Sequence, residues 1–317
     1  MMPENKKQNY HADIPGNPSS STSSKISLND RIDGKPLKVL KEEDWNFWRQ
    51  EGYVVVKNTV PSGQIERLVK LIWEFEEKDP GNPETWYVPA LKEIQMKELT
   101  NSGMVELYNH QYLWDNRQYP KIYEAFVDIW GTEKLWVSID RANLNVPVRE
   151  GHEFKGFIHW DYDPETNPVN VQGVLALSDQ TDEKVGGFQC VPELYRTYKS
   201  WKLTQPEDRD RFKPDITGFE LVKVKLAPGD LLIFNSLLPH GIRPNHSDKV
   251  RLAQYISMMP AEEDNKELLN WRISSWNNRK APEGYAFPGD PRNWELKRYQ
   301  TAELSELGKK LLGLEKW

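Results

Sequence analysis

The amino-acid sequence predicts a mainly β protein with flanking helices, arranged as a double-sheet jelly roll. Two observations predict this fold class. Helical patterns occupy the first part of the chain, and the middle then changes to short apolar stretches rich in β-branched residues. Turns marked by Gly, Pro and Asp separate these stretches. Helices followed by many short strands are typical of two packed sheets with helices on one side.

Two helices are predicted before the strands begin. Structure is expected to start near Lys41. Apolar residues recur at helical spacing after Pro61, a residue that suits the first turn of a helix. These apolar residues are Ile65, Leu68, Val69, Ile72 and Phe75. A second helix is expected around residues 119–130.

Five stretches are predicted as strands because they are apolar, rich in β-branched residues and bounded by turn residues. They are residues 135–148, 170–177, 219–226, 230–234 and 250–258. No clear strand follows Met259. Near the C-terminus, an amphipathic helix is predicted from Ala302, Leu304, Leu307, Leu311 and Leu312. This region could pad the barrel, form a dimer contact or cover the functional site.

The chain divides into a tail and one domain. Residues 1–35 are rich in Ser, Asn, Lys, Pro and Gly and contain little to bury, so a disordered polar tail is predicted. Residues 36–317 are expected to form a single jelly-roll domain, with residues 260–317 as a helical or irregular extension.

Composition restricts the class of protein. The chain has 317 residues, 38% of them hydrophobic and 28% charged, with a net charge of −6. The acidic balance argues against binding nucleic acid or an anionic membrane. Cys190 is the sole cysteine, which fits a reducing cytoplasm. No apolar run approaches the ~20 residues of a membrane span, and no secretory signal is visible. A cytoplasmic protein is therefore predicted.

The most informative motif is His159-Trp160-Asp161, with His240 further along the chain. In an extended strand, His159 and Asp161 point to one side and Trp160 to the other. Two histidines and one carboxylate are the ligand set of a mononuclear iron(II) site, and they leave three positions for a bidentate cosubstrate and dioxygen. We therefore predict His159, Asp161 and His240 as metal ligands and catalytic residues.

Two of the three predicted ligands, His240 and Asp161, have alternatives. His246 competes with His240, but it lies in a polar loop, whereas His240 follows a predicted strand. Asp163 shares the parity of Asp161, but a turn-capping role at Pro164 suits it better. The remaining histidines, His11, His110 and His152, are interpreted as tail, surface or hydrogen-bonded core residues. Trp160 and Phe157 are expected in the core.

Arg251 is predicted to bind the far carboxylate of a keto-acid cosubstrate. A guanidinium group matches a carboxylate with two hydrogen bonds and keeps its charge when buried. Strand alternation puts Ala253 and Tyr255 on its face, and a small neighbour leaves room for a ligand. Tyr255 is a candidate substrate contact. Arg243 is the alternative anchor in a predicted loop, and a surface position at the strand start is the alternative for Arg251.

A polar strand face precedes the His-Trp-Asp motif. Arg141, Asn143 and Asn145 alternate with apolar residues. They could line the pocket, with Asn143 and Asn145 binding cosubstrate and Arg141 binding substrate. A solvated sheet face is nearly as good an interpretation. Gln172 is a further candidate for a hydrogen bond to the cosubstrate.

Four stretches together resemble the iron(II)/2-oxoglutarate-dependent dioxygenases, and specifically the phytanoyl-CoA dioxygenase-like (PhyH) family. Residues 40–56 resemble its opening helix and Gly-Tyr strand, and residues 186–192 its Gly-rich turn. Residues 229–235 followed by Pro239-His240-Gly241 and Arg251 resemble its distal-histidine signature. The resemblance spans roughly residues 40–260. After Pro192 the family usually continues Gly-Ser-His, whereas this chain has Glu193-Leu194-Tyr195, which changes the substrate entrance.

The resemblance implies a cupin-like double-stranded β-helix and a 2-oxoglutarate-dependent dioxygenase. Its cofactors would be iron(II) on His159, Asp161 and His240, 2-oxoglutarate on Arg251, and O2. The enzyme would hydroxylate or oxidatively dealkylate a small organic molecule and release succinate and CO2. Related halogenases carry a small residue in place of Asp161, so oxygen chemistry is favoured here.

Two other classes remain as alternatives. One is a non-catalytic binding module on the same fold, and the other is a metal cupin that does not use 2-oxoglutarate. The ligand set and Arg251 argue against both, because a binding module would be expected to have lost one of them and a cupin without 2-oxoglutarate would not need the arginine. A nucleic-acid demethylase is disfavoured by the acidic charge. The expected partner is a small-molecule substrate, and the chain could be a monomer or a homodimer.

Overall fold

The computed structural model describes residues 27–88, 103–166, 169–282 and 287–317. In these ranges the α-helices are α1 (Glu42–Glu51), α2 (Ser62–Phe75), α3 (Gln111–Arg117), α4 (Pro120–Trp130), α5 (Pro192–Trp201), α6 (Lys266–Asn278), α7 (Trp294–Arg298) and α8 (Glu306–Leu312). The strands are β1 (Tyr53–Val56), β2 (Met104–Val105), β3 (Leu135–Val137), β4 (Ala142–Asn145), β5 (Val171–Ala176), β6 (Gly187–Cys190), β7 (Val222–Lys223), β8 (Leu231–Asn235), β9 (His240–Arg243), β10 (Arg251–Tyr255) and β11 (Met258–Pro260).

The strands form antiparallel sheets that pack on each other. Six strands make a large sheet in the order β1-β8-β5-β10-β4-β2, three make a small sheet in the order β7-β6-β9, and β11 pairs with β3. One buried apolar cluster contains Val174, Leu232 and Phe234 of the large sheet together with Phe188 and Cys190 of the small sheet. The two sheets therefore face each other. The prediction of a mainly β protein with flanking helices is confirmed.

The strand register identifies the side chains that point between the sheets, here called the inner face. Val174, Leu232 and Ala253 belong to the buried cluster between the sheets. Residues directly opposite on neighbouring strands, or two apart on one strand, share a face. The inner face also carries the side chains of Gln172, Ala176, Arg251, Tyr255, Asn143 and Asn145. The inner face is therefore apolar towards β8 and polar towards β10 and β4.

Some strand predictions need correction. The predictions at residues 170–177 and 230–234 are confirmed by β5 and β8. Residues 135–148 and 250–258 each form two strands, one in the large sheet and one in the β11-β3 pair. Both segments change sheet at the same place, where the Ser138 N–H donates to the Ser257 carbonyl at 2.8 Å. The prediction at 219–226 is wrong for most of its length. Gly218 turns the chain at a φ of +86°, and Phe219 packs against the cluster around Trp160.

The helices α2 and α4 confirm the two predicted N-terminal helices. The predicted C-terminal helix begins only at Glu306, because the Ser305 hydroxyl caps it by accepting the Gly308 N–H at 3.1 Å. Ala302 and Leu311 are buried in the same core as α4 and β3. The extension therefore pads the helical side of the domain. After Pro260, the described part of the extension contains no strand.

The boundary between tail and domain lies earlier than predicted. Residues 1–26 of the proposed tail are outside the described residues. Asn29 is already attached to α4, since its backbone N–H donates to the Ile129 carbonyl at 3.2 Å and its side-chain amide to the Asp128 carbonyl at 2.9 Å. The predicted tail is therefore too long, because the chain already contacts the domain at Asn29.

Arg272 joins the C-terminal extension to β3, and its loss is expected to destabilise the domain. The fully buried guanidinium donates to the carbonyls of Val137 at 2.6 Å, Leu311 at 2.9 Å and Leu312 at 3.0 Å. Because Arg272→Met leaves buried carbonyls without donors, we expect the free energy of unfolding to fall by about 3 kcal/mol. Thermal unfolding measures this change. The exposed Arg49→Met serves as the control, and an unchanged Tm in Arg272→Met would contradict the assignment.

Candidate active site

The three predicted metal ligands come together at the edge of the small sheet. His240 begins β9, and His159 lies beside it, because the backbone N–H of each residue donates to the carbonyl of the other at 3.0 and 2.8 Å. His159 is held by this single bridge and not by a regular strand. Its Nε2 lies 3.0 Å from Asp161 Oδ1, and His240 Nε2 lies 3.4 Å from Asp161 Oδ2. One ligand atom from each residue lies within 4.8 Å of the others.

Hydrogen bonding and burial prepare these groups to bind a cation. His240 Nδ1 lies 2.9 Å from the Leu238 carbonyl, which can only accept, so Nδ1 carries a proton and Nε2 is the nitrogen that could bind a metal once it is unprotonated. Burial would raise the pKa of Asp161. The adjacent His159 and His240 outweigh burial and hold the pKa of that carboxyl well below its usual range. The site therefore presents an ionised carboxylate.

The rival ligands lie elsewhere. Asp163 Oδ1 accepts the Glu165 N–H at 2.9 Å and Oδ2 pairs with Arg211 at 3.2 Å, in agreement with the turn-capping interpretation. His246 is exposed in its loop. Trp160 is buried, as expected, and its indole N–H donates to the Leu237 carbonyl at 2.9 Å.

Phe157 departs from its predicted position in the core. It is 45% exposed, and its ring centroid lies 4.7 Å from that of His159. The interpretation of Phe157 as a core residue is therefore wrong, and its ring forms part of the surface beside the metal ligands.

Arg251 lies on the inner face and is held by two side-chain amides. Its Nη1 donates to Asn143 Oδ1 at 2.6 Å and its Nε to Gln180 Oε1 at 3.2 Å. The residue is 1% exposed, so the alternative of a surface arginine is wrong. Gln180 was not identified from the sequence, because nothing in the local pattern after β5 indicates that its side chain reaches β10.

All three guanidinium nitrogens of Arg243 donate hydrogen bonds to the backbone. Its guanidinium donates to the backbone carbonyls of Val185 at 3.0 Å, Phe188 at 2.8 Å, Val224 at 3.3 Å and Gln180 at 3.4 Å. Burial, helped by the nearby charge of Arg251, lowers the pKa of Arg243 to about 10. This residue is therefore not a free anchor for a carboxylate. The prediction that it lies in a loop is also wrong, because it belongs to β9.

The polar face of β4 is buried. Asn143 and Asn145 lie on the inner face, and Arg141 lies opposite Tyr255, whose N–H donates to the Arg141 carbonyl at 3.0 Å. The interpretation as a solvated sheet face is therefore wrong. The Arg141 guanidinium pairs with the buried Glu106 carboxylate at 2.7 Å. Within the described residues, the buried Tyr255 hydroxyl has no hydrogen-bond partner.

Gln172 contacts one of the predicted metal ligands. Its Nε2 donates to Asp161 Oδ2 at 2.5 Å. An amide NH2 group carries two N–H donors, so this hydrogen bond engages one of them. The hydrogen bond from Gln172 to 2-oxoglutarate stays a prediction.

Gly241 allows the His159 segment to approach β9, and we expect Gly241→Ala to disrupt the site. A Cβ atom at this position would lie 1.8 Å from the Phe157 carbonyl oxygen, and a backbone atom cannot move aside without breaking the bridge between His159 and His240. Titration with iron(II) should show binding weakened at least ~10-fold, together with a Tm decrease that corresponds to about 1–3 kcal/mol. Gly63→Ala in α2 is the control, because the added Cβ would meet only the Arg67 side chain, at an ordinary contact distance of 3.8 Å. Unchanged iron binding in Gly241→Ala would contradict this role.

Two facing antiparallel sheets with two histidines and a carboxylate at their edge define the class of protein, a β-sheet protein with a potential metal centre. Residues 48–253 match the family described as Phytanoyl-CoA dioxygenase (PhyH). The chain belongs to this family, as the sequence motifs indicated.

Similar proteins extend the comparison over most of the chain. "Ava biosynthesis cluster protein O" of Aspergillus versicolor is 24% identical and covers 77% of this chain and 84% of its own length. A "Putative phytanoyl-CoA dioxygenase" of Dictyostelium discoideum is 21% identical, covering 68% of this chain and 74% of its own length. The crystal structure of "GlcNAc Inducible Gene 2, GIG2 (DUF1479)" from Candida albicans superposes with a TM-score of 0.63 and 15% identity. It covers 90% of this chain and 79% of that chain, and the two share a fold.

Among the residues that the structure describes, no helix has the length and apolar character needed to span a bilayer.

Proposed function

We propose that this protein is an iron(II)- and 2-oxoglutarate-dependent oxygenase. It hydroxylates, or oxidatively dealkylates, a small organic substrate and releases succinate and CO2. The observation that carries the proposal is the convergence of His159, Asp161 and His240 ligand atoms within 4.8 Å. The buried Arg251 on the inner face and membership of a dioxygenase family support it.

The donor set fits iron(II). Two imidazole nitrogens and one ionised carboxylate are the ligands of the 2-His-1-carboxylate site, which leaves open positions. His240 offers Nε2 because its Nδ1 proton is engaged by Leu238. Iron(II) with 2-oxoglutarate supplies the oxidative decarboxylation by O2 and the oxidation of a C–H bond. The chain's residues supply binding and orientation.

Arg251 has the properties required to bind the far carboxylate of 2-oxoglutarate. Its charge is buried and its Nε and Nη1 are fixed by Gln180 and Asn143. A guanidinium oriented in advance loses little freedom on forming a second set of hydrogen bonds, so it binds a carboxylate with strength and specificity. Ala253, its neighbour on the inner face, is small and apolar and leaves space beside it. Asn143 acts on 2-oxoglutarate through Arg251, and Asn145 remains a candidate contact.

A small uncharged molecule is the proposed substrate, with Arg141 and Tyr255 as candidate contacts. The Arg141 charge is balanced by Glu106, so this region has no net charge to attract an anion. Arg196, in α5, is likewise paired with Glu51 and gives no support to an acyl-CoA substrate. The name of the Aspergillus versicolor relative, which refers to a biosynthesis cluster, supports a natural-product substrate.

The remaining predictions become part of the proposal. We infer that the facing sheets are the two halves of a double-stranded β-helix, the cupin-like jelly roll, which forms one catalytic domain. A cytoplasmic location and a monomer or homodimer remain predictions, as does the absence of nucleic-acid and membrane partners. The acidic net charge of −6 supports these last two expectations.

Succinate formation tests the proposal directly. The protein is incubated with 2-oxoglutarate, ascorbate and iron(II) in air, with candidate small molecules and without them. We expect succinate that requires both iron and O2 and disappears when a chelator is added. Iron binding without any succinate would support the 2-oxoglutarate-independent cupin, and the absence of both would support the binding module.

A further inference from the structure

The side chain of Gln172 connects the large sheet to the candidate metal ligands. It projects from β5 on the inner face, opposite Phe234, whose ring centroid lies 4.4 Å from that of His240. Its Nε2 donates to Asp161 Oδ2 at 2.5 Å. Asp161 lies outside the regular strands, so this hydrogen bond ties an irregular segment to the rigid sheet.

The hydrogen bond gives the two oxygens of the carboxylate different surroundings. Both oxygens lie near a histidine, Oδ1 3.0 Å from His159 Nε2 and Oδ2 3.4 Å from His240 Nε2, but only Oδ2 also accepts the Gln172 amide N–H. An ionised carboxylate only accepts, so the amide must turn its NH2 group towards it. Oδ2 already accepts a short hydrogen bond and has one lone pair less to offer a cation, so Oδ1 would be the preferred metal ligand. Binding through Oδ1 alone would use one coordination position and leave three open beside the two histidines.

The carbonyl oxygen of the Gln172 amide, Oε1, argues that Gln172 does not occupy this position to stabilise the fold. Gln172 Oε1 is buried and, among the residues that the structure describes, has no hydrogen-bond donor. A buried acceptor without a partner is unfavourable in a fold. An apolar side chain of similar length would avoid that penalty, but it could not hold Asp161.

We propose that Gln172 is a positioning residue that orients Asp161 as a one-oxygen metal ligand. The inference rests on the proposed function, because it assumes that Asp161 binds iron. Its chemical consequence concerns the substrate, since the remaining Oε1 can accept an O–H or N–H donor.

The substitution Gln172→Met tests this role. Methionine has nearly the length of glutamine, introduces no charge and offers no N–H. Iron(II) affinity is measured by anaerobic titration of the full chain, and the Tm of the metal-free protein is measured in parallel. We expect the Kd for iron(II) to rise roughly 10- to 100-fold, the usual effect of losing an outer partner of a metal ligand. The metal-free Tm should stay equal to that of wild type or rise. Gln50→Met, at an exposed position of α1, is the matched control.

Binding of cobalt(II) supplies a second readout. A change in the number of carboxylate oxygens on the metal alters its visible d–d spectrum, and a purely structural role would leave that spectrum unchanged. An unchanged iron Kd and cobalt spectrum in Gln172→Met would overturn the inference. Weaker iron binding accompanied by a lower metal-free Tm would also overturn it, because packing would then explain the loss. If wild type itself binds no iron(II), the proposed function fails together with the inference.

Discussion

Asp161→Ala is expected to abolish iron-dependent succinate formation. The substitution removes one of three ligands and the carboxylate that contacts both His159 and His240. Loss of a partner behind a metal ligand already costs roughly 10- to 100-fold in affinity or activity, so the loss of the ligand itself should cost more than about 100-fold. Iron(II) titration and a succinate assay measure the two effects.

Asp163→Ala is the matched control for Asp161→Ala. It removes the same charge from the neighbouring carboxylate, which caps a turn and pairs with Arg211. We expect it to keep iron binding within a few-fold of wild type. Equal losses in the two variants would show that the local charge or the turn matters, and would contradict a specific ligand role for Asp161.

Arg251→Met is expected to weaken 2-oxoglutarate binding while leaving iron binding intact. Removing the charged partner of a buried carboxylate typically weakens the binding free energy by about 2–5 kcal/mol, which corresponds to an increase in Kd of roughly 30- to several-thousand-fold. The measurement is a 2-oxoglutarate titration of the iron-loaded protein without oxygen.

Arg243→Met provides the contrast, because both arginines are buried, Arg243 in β9 and Arg251 in β10. Arg243 donates to backbone carbonyls, so its loss should lower the free energy of unfolding by about 3 kcal/mol. If 2-oxoglutarate affinity were lost in Arg243→Met at an unchanged Tm and kept in Arg251→Met, the assignment of the two arginines would be reversed.

The parts of the fold that sequence predicted are those in which local pattern and tertiary environment agree. Strands β5 and β8 are interior strands of the large sheet, and their mainly apolar sequences, apart from Gln172 and Asn235, match burial on both faces. Strand β9 escaped detection because Pro239 and Pro244 bracket it and its sequence resembles a turn. It is a strand only because β6 and the His159 segment pair with its two edges.

The sequence predicts the candidate metal ligands and the arginine of the site. It does not predict the contacts that the glutamine side chains make with them. His159, Asp161, His240 and Arg251 belong to residue types and spacings that iron and a keto acid require. Gln180 and the true partner of Gln172 could not be identified, because each side chain contacts a residue that is distant in sequence, and a lone glutamine carries no local signal. Helix α5 was missed for another reason. Pro192 at its first turn is a helix-start signal that was interpreted only as part of a Gly-rich turn.

The measurement that tests the central claim most directly is an anaerobic titration of the metal-free protein with iron(II) followed by 2-oxoglutarate. A keto acid chelated to iron with two histidines and one carboxylate gives a weak visible charge-transfer band. We expect this band in wild type, its absence in His159→Ala, and a shift of its half-saturation to higher 2-oxoglutarate in Arg251→Met. A folded wild-type protein that binds iron and gives no band at saturating 2-oxoglutarate would contradict the proposed cosubstrate.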